Sequence, residues 1–176
     1  MTRDPIPDLP DVVTDTRVLS PVRVSSPGIL DGDAIPHRFA ADGGNFSPAL
    51  SWSHLPRGTA SVAVTCDDPN GPQGRPFFLW VLFNVPPFLG DIPEGLSKVP
   101  LSPEVPGASQ GVNDTGQIGY DGPAPPAGHT HTYEFLVHAL DTVLDLPPGP
   151  RVKDVQRAME GHVLGVGRLI GTFHGR

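Results

Sequence analysis

Two stretches of this chain combine residue types that do chemistry. The first, Asp67-Asp68-Pro69-Asn70-Gly71-Pro72, sets two carboxylates and a carboxamide in a proline-stiffened turn. Asn offers both a donor and an acceptor, and Pro restricts the chain, so the turn can orient donors on a ligand. The same residues also make an ordinary strand-ending turn. A cis bond at Gly71-Pro72 would let the chain reverse sharply there. The second stretch runs from Gly119-Tyr120-Asp121-Gly122-Pro123-Ala124-Pro125-Pro126-Ala127-Gly128 into His129-Thr130-His131-Thr132-Tyr133. A loop this rigid can aim backbone N–H groups at one spot, and such nests bind phosphate or carboxylate without net positive charge. Alternatively it is a structural loop followed by a core strand. His131 and Tyr133, two apart on a strand, add polar groups on one side.

Other chemistries find less support. His129 and His131 share a face, and Asp67 or Asp68 would complete a mixed nitrogen and oxygen set, but the expectation is that no metal is bound. No Gly-x-Ser-x-Gly nucleophile elbow, phosphate-binding loop or dinucleotide fingerprint occurs. The expectation is a protein without a cofactor that is not an enzyme.

The elements that must position these groups follow from hydrophobic periodicity. Ser61–Cys66 alternates as a strand that puts Val62, Val64, Cys66 and then Asp68 on one face. Phe77–Val85 is almost wholly apolar between Pro76 and Pro86-Pro87, the pattern of a central strand covered on both faces. Short strands are expected around Val22–Val24 and at Leu50-Ser51-Trp52. His131–Leu140 alternates again, with Tyr133, Phe135, Val137 and Ala139 together. Residues 86–128 are rich in proline and glycine and read as a long ordered loop region, a feature that usually exists for function. Val152, Val155 and Met159 recur at helical spacing. Gly165 and Gly167 weaken the far end of that helix, so the chain is expected to leave it near residues 161–166 and to finish extended. The predicted core is Val62, Val64, Leu82, Phe135 and Val137, with Trp52 at its rim.

Composition bounds the rest. A chain of 176 residues fits one domain able to bury a core unaided. Glycine (21) and proline (23) make up a quarter of it, but 38% hydrophobic residues in short runs separated by turns read as all-β. Residues 1–20 are polar and proline-punctuated, an arm; the fold proper is expected over 21–176. The single cysteine, Cys66, supplies no disulfide framework. The N-terminus lacks the basic start and apolar stretch of a signal peptide, and no run is long enough to span a membrane. A net charge of −7 opposes binding to nucleic acid. A soluble cytoplasmic protein is the expectation.

Taken together, the motifs resemble the phosphatidylethanolamine-binding family, particularly its bacterial Raf kinase inhibitor-like branch. Asn45-Phe46-Ser47-Pro48-Ala49-Leu50-Ser51-Trp52 is similar to the family's N-x-S-P-x-L-x-W, and Asp68-Pro69-Asn70-Gly71-Pro72 to its D-P-D-x-P. Asn113-Asp114 followed by Gly119-Tyr120, Gly122-Pro123, Pro125-Pro126 and His131-x-Tyr133 resembles its long N-D…G-Y-x-G-P-x-P-P…H-x-Y segment, and Gly171-Thr172-Phe173 its closing motif. The likeness implies an antiparallel Greek-key β-sandwich, mainly β, with C-terminal helical elements. It also implies a small pocket for phosphate-like or phosphoethanolamine-like groups. Carried over residue by residue, that ligand-binding pocket comprises Asp68, Asn70, His131 and Tyr133, walled by Ala124, Pro125 and Pro126. This sequence departs from the family in having Asn70 for a second aspartate, Leu79 for a histidine and Thr132 for an arginine.

The leading expectation is a non-enzymatic ligand-binding or regulatory protein for an anionic or zwitterionic headgroup. An inhibitor of a kinase or protease with a vestigial pocket is the alternative, and an atypical hydrolase using Asp68 and His131 a remote one. A homodimer is possible by family analogy.

Overall fold

The computed structural model describes residues 19–176. Among them the chain forms β1 (Ser20–Pro21), β2 (Arg23–Ser25), β3 (Leu50–Ser53), β4 (Ser61–Asp68), β5 (Phe77–Val85), β6 (Asp91–Ile92), β7 (Ser109–Gln110), β8 (Thr130–Leu140), α1 (Val152–Met159) and β9 (Val163–His174). A six-stranded sheet, ordered β1-β9-β8-β4-β5-β7, faces a three-stranded sheet, β2-β3-β6. Apart from the parallel β1–β9 pair, the named strands pair antiparallel. This is the expected mainly-β sandwich, with its helix near the C-terminus.

Alternation sorts each strand between two cores. Val62, Val64 and Cys66 of β4 and Phe135, Val137 and Ala139 of β8 pack inward with Leu50, Trp52 and Ile92 of the small sheet. All six residues of the predicted core are buried, Trp52 being the least enclosed. On the opposite face, Ala63, Val81, Phe83 and Leu140 are covered by Val152, Val155 and Met159 of α1. The long apolar run of β5 is thereby explained, since it has a core on each side.

Three expectations are corrected. First, β5 is not central: β4 and β8 hold the middle, and β5 has only the two-residue β7 beyond it. Second, the helix ends at Met159 and the chain returns as β9, a twelve-residue strand. Its glycines are not helix breakers but close-approach sites. A Cβ on Gly165 would meet the Ser20 oxygen at 2.6 Å, one on Gly167 the Val22 oxygen at 2.4 Å, and one on Gly171 the Ile35 side chain at 2.5 Å. Bare backbone on this face of β9 lets the N-terminal strands lie across it. Third, every peptide bond in the described residues is trans, including Gly71-Pro72. The reversal is made by Gln73 and Gly74, both left-handed at φ 65° and 68°. Of the expected 1–20 arm, residues 1–18 lie outside the described residues, and Ser20 already pairs with β9.

Candidate functional site

The inward row of β4 ends in Asp68, and the inward row of β8 begins with His131 and Tyr133. Because β8 pairs with β4 through Asp67↔Glu134 and then runs on beyond it, His131 reaches past the end of β4 to the carboxylate. His131 Nδ1 lies 2.5 Å from Asp68 Oδ2. A carboxylate only accepts, so Nδ1 carries the proton and Nε2 is left for other partners. Asp68 Oδ1 accepts from the Asn70 backbone N–H at 2.9 Å. The Asp68 side chain is 7% exposed and the His131 ring 27%, so the pair is sheltered but reachable from the ring side.

Tyr133 is buried beside them, its phenol accepting a hydrogen bond from the Ala124 backbone. Burial, then the Asp68 charge, pushes that phenol well above its ordinary range, so it stays protonated. Burial likewise raises the Cys66 thiol on the same row, which makes it an inert core residue.

The loop opposite is held by a polar frame. Asn45 Nδ2 donates to Asp121 Oδ1 at 3.0 Å while its Oδ1 accepts from the Gly122 N–H at 2.7 Å. Asn113 Nδ2 donates to the carbonyls of Leu79 and Gly119 at 3.1 and 3.0 Å. Thr115 Oγ1 donates to Asp121, and Lys98 Nζ stands 3.6 Å from its carboxylate. Burial alone would raise the Asp121 carboxyl; these hydrogen bonds and the Lys98 charge outweigh it and hold the group below the usual range. Tyr120 anchors the loop from beneath, donating to the Phe39 carbonyl at 2.8 Å.

Between these two walls lies a cleft of about 590 Å³. Asp68, His131, Tyr133, Ala124, Pro125 and Pro126 all line it, with Phe77 and Leu79 of β5 and with Asn45, Thr115 and Asp121. Six of the seven residues expected to form the pocket are thus brought together. The exception is Asn70, whose side chain is exposed and does not line the cleft. It follows the turn outward and contributes its N–H to Asp68 instead.

One further expectation changes. The loop does not present a nest. Of its cleft-lining residues, Asp121, Gly122 and Ala124 have N–H groups, and these bond the Leu79 carbonyl, Asn45 and Tyr133 respectively. Pro125 and Pro126 have none. His129 and Asp67 do not join the His131–Asp68 pair: His129 is exposed, and Asp67 is on the other face of β4. Its Oδ1 is buried without a partner, and burial, then Glu134 and Asp68, push its carboxyl up to about 6. Among the described residues no three His, Cys, Asp or Glu side chains are grouped to hold a metal ion.

Sequence reasoning did not assign Asn45, Thr115, Asp121 and Phe77 to the site. Asn45 and Asp121 sit within the quoted motifs, but only the folded loop shows that they meet.

Comparison with known proteins decides the family: the family model described as phosphatidylethanolamine-binding protein matches residues 25–174. The chain belongs to that family. It is 47% identical over 143 residues to a UPF0098 protein of Methanothermobacter thermautotrophicus, spanning 81% of this chain and 92% of the relative. It is 35% identical over 166 residues to LppC of Mycobacterium tuberculosis, which carries a lipoprotein name, over 94% of this chain and 78% of the relative. The crystal structure of Escherichia coli YbcL, described as a new member of the mammalian family, superposes with a TM-score of 0.81 at 29% identity, covering 88% of this chain and 99% of that one. Family membership supports a binding or regulatory role in general terms. Leu79, where the resemblance places a histidine, lines the cleft as part of its apolar wall.

Proposed function

We propose that residues 21–176 form a non-enzymatic binding or regulatory module, whose cleft takes a small charged headgroup of the phosphate or phosphoethanolamine kind. One observation carries this reading: Asp68, His131 and Tyr133 meet the Ala124–Pro126 wall in a single cleft, although some sixty residues separate them in sequence. Cavities with apolar walls and a few convergent polar groups are the usual form of small-ligand sites. Titration calorimetry with phosphoethanolamine tests it. Wild type should bind and His131→Ala should lose at least about tenfold in affinity, as for a charge-assisted contact; equal affinity would refute the assignment.

Leu79 favours a second reading. An apolar residue in that position weakens the case for phosphate, and the protein would then act as an inhibitor or interaction protein, directed at a kinase or protease, with a vestigial cleft. His131→Ala separates the two, because partner binding would survive it. Hydrolysis by Asp68 and His131 is the weakest reading: no serine or cysteine lines the cleft, and the Thr115 hydroxyl gives its one proton to Asp121.

A cytoplasmic location is the proposal, since a single buried cysteine, Cys66, calls for no oxidising compartment. No helix among the described residues is long and apolar enough to cross a membrane. The lipoprotein name of LppC marks the competing location, and fractionation of cells decides between them. The net charge of −7 disfavours nucleic acid as a partner.

A further inference from the structure

We infer that a trough on the outer face of the large sheet is a docking surface for this chain's own residues 1–18, whose acidic half seats against Arg75 and Lys153. Helix α1 covers only one part of that face, over Ala63, Val81, Phe83 and Leu140. Beside the helix, Leu136, Val166 and Phe78 are only half-buried. They line a groove of about 310 Å³ with Met159 of α1. Thr65 Oγ1 and His138 Nε2, also in its lining, lie 3.2 Å apart and bond each other. What the groove offers is therefore mainly apolar surface, which marks a contact site when left open. Phe78 and Gln156 also line a second cleft of about 540 Å³ that holds Arg75 and Lys153. The two hollows thus form one trough, apolar at one end and basic at the other. Neither cation makes an ion pair among the described residues. Asp114, at the basic end, accepts from the Phe78 N–H at 2.8 Å.

The occupant follows from where the chain is tethered and from its charge. Leu19 lines the apolar end, and eighteen residues precede it. From β1 to β5 is four strand spacings, about 19 Å at ~4.8 Å each. About six extended residues span that distance. Counted back from Leu19 they end at Val13, which sets Val12 and Val13 at Phe78 and leaves Asp11, Asp8 and Asp4 to meet the cations. Apolar and then acidic along the segment matches apolar and then basic along the trough. Arg3 is the only basic side chain before Asp11, so the far end pairs opposite charges. Pro5, Pro7 and Pro10 punctuate the acidic half. Proline-rich segments favour grooves walled by aromatic rings, here Phe77 and Phe78. The match to LppC covers 94% of this chain, more than residues 19–176 make up, so it extends into this segment.

A nitroxide on Ile6→Cys of the full chain tests this by NMR, because Cys66 is buried and escapes the label. Docking predicts that the amide signals of Gln73 and Lys153, at the basic end, are lost while that of Glu160, beside Leu19, persists. A segment merely tethered at Leu19 would quench Glu160 first, and that order, or no quenching at all, would overturn the inference. Adding Asp8→Lys and Asp11→Lys to the labelled chain should restore the Gln73 and Lys153 signals. Quenching that survives the reversal would overturn the basic end as the seat. A mixture of nitroxide-bearing chains with isotope-labelled chains lacking the nitroxide should show no loss; loss there would assign the trough to a second copy's segment and overturn docking within one chain.

Discussion

Asn45 and Asp121 stand seventy-six positions apart, and the amide of one donates to the carboxylate of the other at 3.0 Å. The same asparagine accepts from the Gly122 N–H and occupies a left-handed conformation at φ 52°. One side chain thus fixes the shape of the cleft's loop wall. Asn45→Ala should cost about 1–3 kcal/mol, because it strands a buried N–H and loosens a carboxylate, and should weaken ligand binding. Asn45→Gly would relieve the backbone penalty of the left-handed conformation but leave binding weak. Chemical denaturation and calorimetry on both variants check this; a pair that binds like wild type would remove Asn45 from the wall.

Phe135 is fully enclosed on the inner face of β8. Phe135→Ala should destabilise the fold by about 3–5 kcal/mol, as large core truncations do. Urea denaturation showing a loss below about 1 kcal/mol would contradict its place in the core.

Asp67 and His138 occupy the outer face of the large sheet and give opposite pH signatures. Burial, then Glu134 and Asp68, raise the Asp67 carboxyl from 3.8 to about 6. Folding therefore takes up a proton between these values, and stability falls as pH rises through that window. Asp67→Asn should abolish that loss and be more stable than wild type above pH 6. Burial lowers the His138 imidazole from 6.5 to about 4. Here the unfolded chain holds more protons, so stability falls as pH drops from 6.5 toward 4, and His138→Gln should lack that loss. Melting curves across pH 4–8 check both; unchanged pH profiles would contradict the burial argument.

Leu79→His would put a donor on the cleft wall where this chain has none. Inorganic phosphate affinity should rise about tenfold or more, read by calorimetry. No gain would mean that the histidine cannot reach the Asp68–His131 end.

Much of the site was legible because period-two alternation places Asp68, His131 and Tyr133 on inward rows without knowledge of the fold. The loop wall was legible only as rigid. Its N–H groups have particular partners, and those partners, Asn45 and the Leu79 carbonyl, are remote in sequence. β9 was misread because glycine signals weak helix locally, whereas Gly165, Gly167 and Gly171 answer to Ser20, Val22 and Ile35. Read with Leu169, these glycines keep period two, which was the available clue. Asn70 was misplaced because a motif records which residues recur and not which way a turn directs them.

The most direct test of the cleft as the binding site is NMR of the histidine side chains during a phosphoethanolamine titration. His131 lines the cleft, whereas His54 and His162 lie elsewhere on the surface. The account predicts that the His131 ring resonances move saturably while those of His54 and His162 stay fixed. A saturable titration that leaves His131 unmoved would contradict it.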